Sequence, residues 1–168
     1  MVEGLALGKL GKHVRLLDPS VGPDTFPSAL RNSQFHDWRL DAIDVDPAMC
    51  AEVAASNDPR VVVHRGDYLS RPLQIYDAAI LNPPYVRQEW LRDKRRAQAV
   101  LRDLTGIEVP GTSNLYVYFI VKTVAELREG GRMACLVYDS WQSTLFGRWL
   151  RSYLDEHCVW HSEEVPDC

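Results

Sequence analysis

Short runs of apolar and β-branched residues alternate along the chain with longer stretches of helical periodicity. The runs fall at residues 13–17, 38–43, 61–63 and 76–81, and each ends in polar or turn-forming residues, as strands buried in a sheet do. The first link, from Asp18 to Asp24, is rich in breakers, and a short helix is predicted after it around residues 28–32. The second link predicts a helix over 48–56, with Asp46 as N-cap and Pro47 in the first turn, where a missing N–H costs nothing. Residues 87–103 carry charge on most faces and predict an exposed helix. Residues 115–121 are an apolar run that β propensity alone would make a strand. The apolar character continues through Val124, Ala125 and Leu127 before Gly130 and Gly131, so the reading is a buried helix stopped by the glycines. A fifth strand is predicted over 133–138. Trp141, Leu145, Trp149 and Tyr153 recur at every fourth position, so residues 140–155 predict an amphipathic helix whose aromatic stripe is core. Residues 158–160 read as a last, lone strand.

Strand, helix, strand, helix with short links is an α/β pattern and implies a mostly parallel, twisted sheet in a single domain covering residues 1–168. In such sheets ligands bind beyond the carboxyl ends of the strands. The residues at those positions are Asp18, Asp44, Gly66, Asp67, Asn82, Asp139 and Ser140, a set of acids, amides and hydroxyls that also serve as caps and turn formers.

Composition narrows the function. Net charge is -4, so no global field draws the chain to nucleic acid or anionic lipid, and any contact with nucleic acid is a local patch. Arg87, Arg92, Lys94, Arg95, Arg96 and Arg102 form one such cluster, although Glu89, Asp93 and Asp103 interleave it and a solvated helix face fits the same pattern. No apolar run reaches the length of about 20 residues that a membrane span needs, and the first residues lack a secretory signal, so a cytoplasmic protein with no membrane partner is expected. Cys50, Cys135, Cys158 and Cys168 are scattered, which fits reduced structural thiols. His157, Cys158 and His161 lie close together but lack a second ligand cluster, and no metal is expected.

The fourth apolar run leads directly into Asn82, Pro83, Pro84 and Tyr85. Two prolines fix φ and remove two donors, so the loop offers carbonyls outward beside the Asn82 amide oxygen and the Tyr85 ring. Acceptors from Asn82 and a proline carbonyl can take both hydrogens of an exocyclic amine while Tyr85 stacks on the ring that bears it. A base presented in this way is turned out of any duplex. A rigid Asn-Pro turn is the plainer reading of the same residues.

Four segments in one order carry a resemblance: Leu17 to Gly22 with Phe26 beyond, the acidic pair Asp44 and Asp46, Gly66 to Leu69, and Asn82 to Tyr85. So ordered, the sequence resembles the N6-adenine DNA methyltransferases of restriction-modification systems, above all the large type II enzymes that combine methylation and cleavage. The likeness extends through residues 86–89, 113–119, 130–132 and 138–141 and covers about residues 14–155. It implies the Rossmann-like class I methyltransferase fold with S-adenosylmethionine as cofactor. Asp18, Pro19, Gly22 and Phe26 would hold its methionine part, Asp44 with Val45 its ribose, and Asp67 with Tyr68 its adenine. Asp44 lies 22 positions after Gly22, the spacing at which a second strand presents an acid to a ribose. Asn82, Pro83, Pro84 and Tyr85 would be the catalytic group, holding a flipped adenine of DNA so that the lone pair of its N6 faces the sulfonium methyl. Cytosine-specific members usually begin the tetrad with Ser where this chain has Asn82. Glutamine and some RNA methyltransferases share the tetrad, and remain as alternatives.

Two departures from the family stand out. Where it usually has a second glycine in the first loop this chain has Asp24, after Pro23, which adds bulk and negative charge near the cofactor's carboxylate. Asp24 as a cap of the next helix is the milder reading, and a fold that has lost its cofactor and survives as a binding or assembly module the more severe. The family also carries an upstream aromatic-Thr-Pro motif and a target-recognition domain, neither of which is seen in these 168 residues. The expectation is a catalytic core cut from a larger enzyme, with base reading left to a missing domain or subunit.

Overall fold

Among the described residues five strands form one parallel sheet in the order β3-β2-β1-β4-β5. The computed structural model describes residues 1–85 and 94–163. The strands are β1 (Val14–Asp18), β2 (Trp38–Asp44), β3 (Val61–Arg65), β4 (Tyr76–Leu81) and β5 (Leu127–Cys135). The helices are α1 (Thr25–Arg31), α2 (Pro47–Ala54), α3 (Lys94–Thr105), α4 (Leu115–Glu126) and α5 (Leu145–His157). Residues 1–137, holding the sheet and α1 to α4, are one unit, and residues from 138 onward, with α5, are a second.

Alternation along the strands builds the core. Leu16, Leu40, Ala42, Ala78 and Ile80 share one face and pack with Leu5, Leu7, Leu30 from α1 and Val53 from α2, all of them buried. Each such leucine contributes about 1.5–3 kcal/mol by leaving water. Register then fixes the site: Asp18 lies opposite Ala42, Asp44 opposite Arg65, and Leu81 opposite Cys135. The links after β1, β2, β3 and β4 therefore emerge along one edge.

Several elements differ from their sequence reading. The first helix begins earlier, at Thr25, and α2 is as expected, with Asp46 Oδ1 accepting from Ala48 N at 2.7 Å and Pro47 at its start. The apolar run from Leu115 is a helix, but it stops at Glu126, and Gly130 and Gly131 lie within β5 rather than ending α4. Pairing with β4 decides this boundary. Leu127 pairs with Tyr76, Arg132 pairs with Ala78, and the glycines fall in the bulge between them. Arg128, in the same stretch, bonds Asp77 and donates to Leu10 O at 3.3 Å. The helix expected over 140–155 is instead a 3-10 turn, Asp139–Ser143, followed by α5, because Thr144 caps α5 by accepting from Gly147 N at 3.0 Å. Residues 158–160 are not a strand: Trp160 sits 6.2 Å from the Trp141 ring and donates to Asp155 Oδ1 at 2.8 Å, so the run serves a tryptophan cluster.

Candidate functional site

The loop after β1 bends over the end of the sheet. Gly22 has φ +54, a left-handed conformation that suits glycine, and its N–H donates to Asp44 Oδ2 at 3.0 Å. Val21 N donates to Ile43 O at 3.0 Å, so the first loop is laced to the end of β2. Asp46 N donates to Asp44 Oδ1 at 2.9 Å. Each carboxylate oxygen of Asp44 has taken one N–H and keeps a second lone pair for a ribose hydroxyl. Val45 beside it is 64% exposed and offers an apolar surface at the rim.

Beneath the loop Asp18 is fully buried. Its Oδ1 accepts from Ser20 N at 3.2 Å, and its Oδ2 has no hydrogen-bond partner among the described residues. Burial, and to a smaller degree the charge of Asp44, pushes its carboxyl up to about 8, so much of it is protonated at neutral pH. An orphaned acid at this point fits a cationic ammonium close by, and the donor set as a whole fits a methionine-bearing nucleoside. Pro19 is buried beside it, and Phe26 is half-buried and packs on the core cluster.

Asp24 is at φ +38, where the family's glycine would be most at ease, and Asp is among the few side chains that tolerate it. It occupies the N-cap position of α1, yet its side chain makes no capping bond and pairs instead with Arg31. The expected repulsion of a cofactor carboxylate is thus offset from within the chain by a guanidinium one helix-length away.

Gly66 N donates to Asp44 O at 2.8 Å, bringing the third loop against the second. Asp67 is exposed and its Oδ1 accepts from Leu69 N at 3.0 Å. Tyr68 is 2% exposed, so its side chain is no part of a ligand-facing surface and serves the loop from behind.

The tetrad closes the site. Asn82 is exposed, Pro83 buried, Pro84 half-buried and Tyr85 exposed. Because β1 and β4 are neighbours, Ser20 Oγ reaches Asn82 O at 3.0 Å and ties the first loop to the tetrad. The Tyr85 hydroxyl lies 2.8 Å from Leu136 O and 3.1 Å from Asn82 Oδ1, and its ring meets Tyr116 edge-on at 6.2 Å. One proton serves only one acceptor fully at a time, so the Asn82 oxygen is partly engaged within the tetrad. Burial pushes the thiol of Cys135, on the neighbouring strand, up to about 12.

Sequence reasoning did not identify Ser20, Arg31 and Tyr116, nor the residues behind Tyr68. Of the basic cluster, Arg87 and Arg92 lie outside the described residues, while Arg95, Arg96 and Arg102 are exposed on α3. Among the described residues no three His, Cys, Asp or Glu side chains gather as a metal site, and no helix is long and apolar enough to cross a membrane.

Residues 32–162 match the model of the Eco57I restriction-modification methylase family. Among curated relatives, Type II methyltransferase M.AccI of Acinetobacter calcoaceticus is 25% identical over 142 residues, and M.XhoI of Xanthomonas vasicola 28% over 148. Each alignment covers 83% of this chain and 26% of the relative, so the chain spans about a quarter of their length. A class I S-adenosylmethionine-dependent methyltransferase of Listeria monocytogenes superposes with a TM-score of 0.69 at 18% identity, over 92% of this chain and 50% of that one. The chain therefore belongs to the Eco57I restriction-modification methylase family, and its fold is that of the class I S-adenosylmethionine-dependent methyltransferases.

Proposed function

We propose that this chain is the catalytic domain of an adenine-specific DNA methyltransferase that moves a methyl group from S-adenosylmethionine to N6 of adenine, in a restriction-modification or host-defence system of the cytoplasm. One observation carries the reading: Asp18, Asp44 and Asp67 line the strand ends beside a tetrad that Ser20 bonds to the first loop. The relatives named as Type II methyltransferases support the setting.

The cofactor, when bound, supplies an electrophilic methyl on its sulfonium. Asp44 would hold the ribose hydroxyls through its free lone pairs, Asp67 the adenine amine, and the first loop at Gly22, with Asp18 buried beneath it, the methionine end. Arg31, by holding Asp24, keeps a negative charge away from that end. Asn82 Oδ1 and the Pro83 carbonyl accept the two hydrogens of the target amine and so aim its lone pair, while Tyr85 stacks on the base. In such a displacement the amine would give up one of its two protons to solvent and the demethylated thioether would depart; positioning supplies much of the rate, with no nucleophilic side chain needed. A target-recognition domain or subunit selects the sequence.

Calorimetric titration of S-adenosylmethionine is the test, followed by methyl transfer to mixed-sequence duplex DNA. Micromolar binding that Asp44→Ala abolishes, with transfer that Asn82→Ala abolishes, is the expected result. Binding without transfer to DNA, but with transfer to RNA or to a glutamine peptide, moves the activity to those acceptors. No binding leaves a fold without its cofactor.

A further inference from the structure

Behind the third loop lies a buried ionic network that the proposed chemistry does not use. Phe119, Lys122, Thr123 and Glu126 recur at helical spacing on one face of α4. Lys122 is 0% and Glu126 2% exposed. Lys122 Nζ donates to Glu126 Oε1 at 2.8 Å, and Gln74 N donates to the same oxygen at 3.1 Å. The Tyr68 hydroxyl donates to Glu126 Oε2 at 2.6 Å and lies 3.0 Å from Thr123 Oγ1. Lys122 Nζ stands 4.3 Å from the Tyr68 ring centroid, with the Phe119 ring 5.3 Å from it. Tyr68 is therefore fixed through its ring and its hydroxyl at once.

Stability alone does not account for this arrangement. Removing two charges from water costs several kcal/mol per ion, and well-packed apolar residues of similar volume usually do as well or better. What the network adds is a single place for Tyr68. Asp67, next in the chain, is held on that side by Tyr68 and on the other by the bond from Gly66 N to Asp44 O. Its carboxylate completes the turn through Leu69 N, at 3.0 Å. Its carbonyl accepts from Ser70 Oγ at 3.0 Å and Ser70 N at 3.3 Å, so these bonds fix the turn itself while Tyr68 ties the turn to α4.

We propose that Glu126, ion-paired with Lys122, is a positioning residue that acts through Tyr68 to hold Asp67 at the amino group of the cofactor's adenine, and so sets the chain's preference for an adenine-bearing cofactor. This rests on the role given to Asp67 above. Tyr68→Phe keeps the ring, its contact with Phe119 and the ion pair, and removes only the hydroxyl. Lys122→Met with Glu126→Leu removes both charges together and leaves an apolar core.

The test is calorimetry on the full chain with two ligands, S-adenosylhomocysteine and the same compound with hydrogen in place of the adenine amino group. The wild type is expected to prefer the amino ligand by about tenfold or more, the worth of one hydrogen bond to a charged group. In Tyr68→Phe the preference falls below about threefold while affinity for the deaminated ligand holds, since only the hydroxyl's contacts with Glu126 and Thr123 are lost. The double variant behaves alike, and joining it to Tyr68→Phe adds nothing further, because both act on one path. An unchanged preference in Tyr68→Phe overturns the positioning role and leaves Asp67 in place. Equal loss for both ligands assigns Tyr68 to the fold and overturns it too. A wild type that does not distinguish the ligands removes the role of Asp67, and the positioning role with it.

Discussion

Asp18 makes stability depend on pH. Its carboxyl titrates near 8 in the folded chain because it is buried without a full set of partners, whereas an unfolded Asp titrates near 3.9. Between those values the folded state binds the extra proton, so stability is fully present below the lower one and declines as pH rises toward the upper one. The slope is about 1.4 kcal/mol for each pH unit. Asp18→Asn keeps the acceptor for Ser20 N and has no proton to lose. Thermal melts from pH 5 to 8 should show the wild-type midpoint falling and the variant's nearly level, with the variant the more stable at pH 8; parallel curves would remove the burial argument. Tyr85 allows a second test at this scale. Its ring is 38% exposed and its hydroxyl is divided between Leu136 O and Asn82 Oδ1. Stacking of a base on an aromatic ring is worth about 1–3 kcal/mol, so Tyr85→Ala should weaken binding of a duplex bearing a mismatched 2-aminopurine by about 5- to 150-fold. Tyr85→Phe keeps the ring and frees the Asn82 oxygen, and should bind within about threefold of wild type. Titration of the base fluorescence reads both, and equal losses would place the hydroxyl, not the ring, in the contact.

At the scale of elements, the start of α5 depends on two single positions. Thr144 accepts from Gly147 N and donates to Trp141 O at 2.8 Å, and a Cβ on Gly147 would collide with the Trp141 carbonyl. Thr144→Ala should therefore cost about 1 kcal/mol, the usual worth of an N-cap, or about 2–4 °C in midpoint for a chain of this size. Gly147→Ala should cost clearly more, although alanine favours helices, because the carbonyl must move. Melting followed by circular dichroism compares them; a stabilising Gly147→Ala would show that propensity outweighs the close approach. This contrast also explains what was legible in the sequence. Strands β1 to β4 were legible within about two residues, since each is a short run rich in apolar and β-branched residues that ends in turn formers, a local pattern that needs no partner to be recognised. The cap of α2 was legible because Asp46 and Pro47 act locally. The start of β5 was not, because the choice between another helical turn and a pairing with Tyr76 depends on a strand fifty residues earlier. The same limit held at the site. Three acids and the tetrad could be placed along one edge from topology, whereas Ser20 on Asn82 requires β1 beside β4, and Arg31 on Asp24 requires a turn of helix in the right phase. Lys122 and Glu126 did leave a signal, a charged pair four apart inside an apolar helix, that patterning by strands and loops passes over.

For the whole molecule, charge decides how the proposed DNA substrate could be met. A net charge of -4 gives no long-range attraction, so affinity for the proposed DNA substrate must come from a few phosphates met locally. On α3, Arg95 and Arg96 are exposed, and Arg102 pairs with Asp103 only at 3.8 Å across a largely exposed surface. A pair of that kind is worth little and gives way to a phosphate. If those three arginines each neutralise one phosphate, log K should fall with log salt at a slope of about -2.7, or about fortyfold between 50 and 200 mM. Arg96→Gln should reduce the slope by about 0.9 without altering any preference among sequences, because a phosphate contact carries no base information. Affinities measured across that salt range on two unrelated duplexes separate the cases. A slope near zero would remove α3 from the interface and leave the tetrad loop to hold DNA alone, whereas a slope much steeper than three contacts allow would mean that basic residues beyond α3 join it. The first outcome leaves the described residues without a phosphate-binding helix; the expected one gives α3 that role, with no part in choosing among sequences.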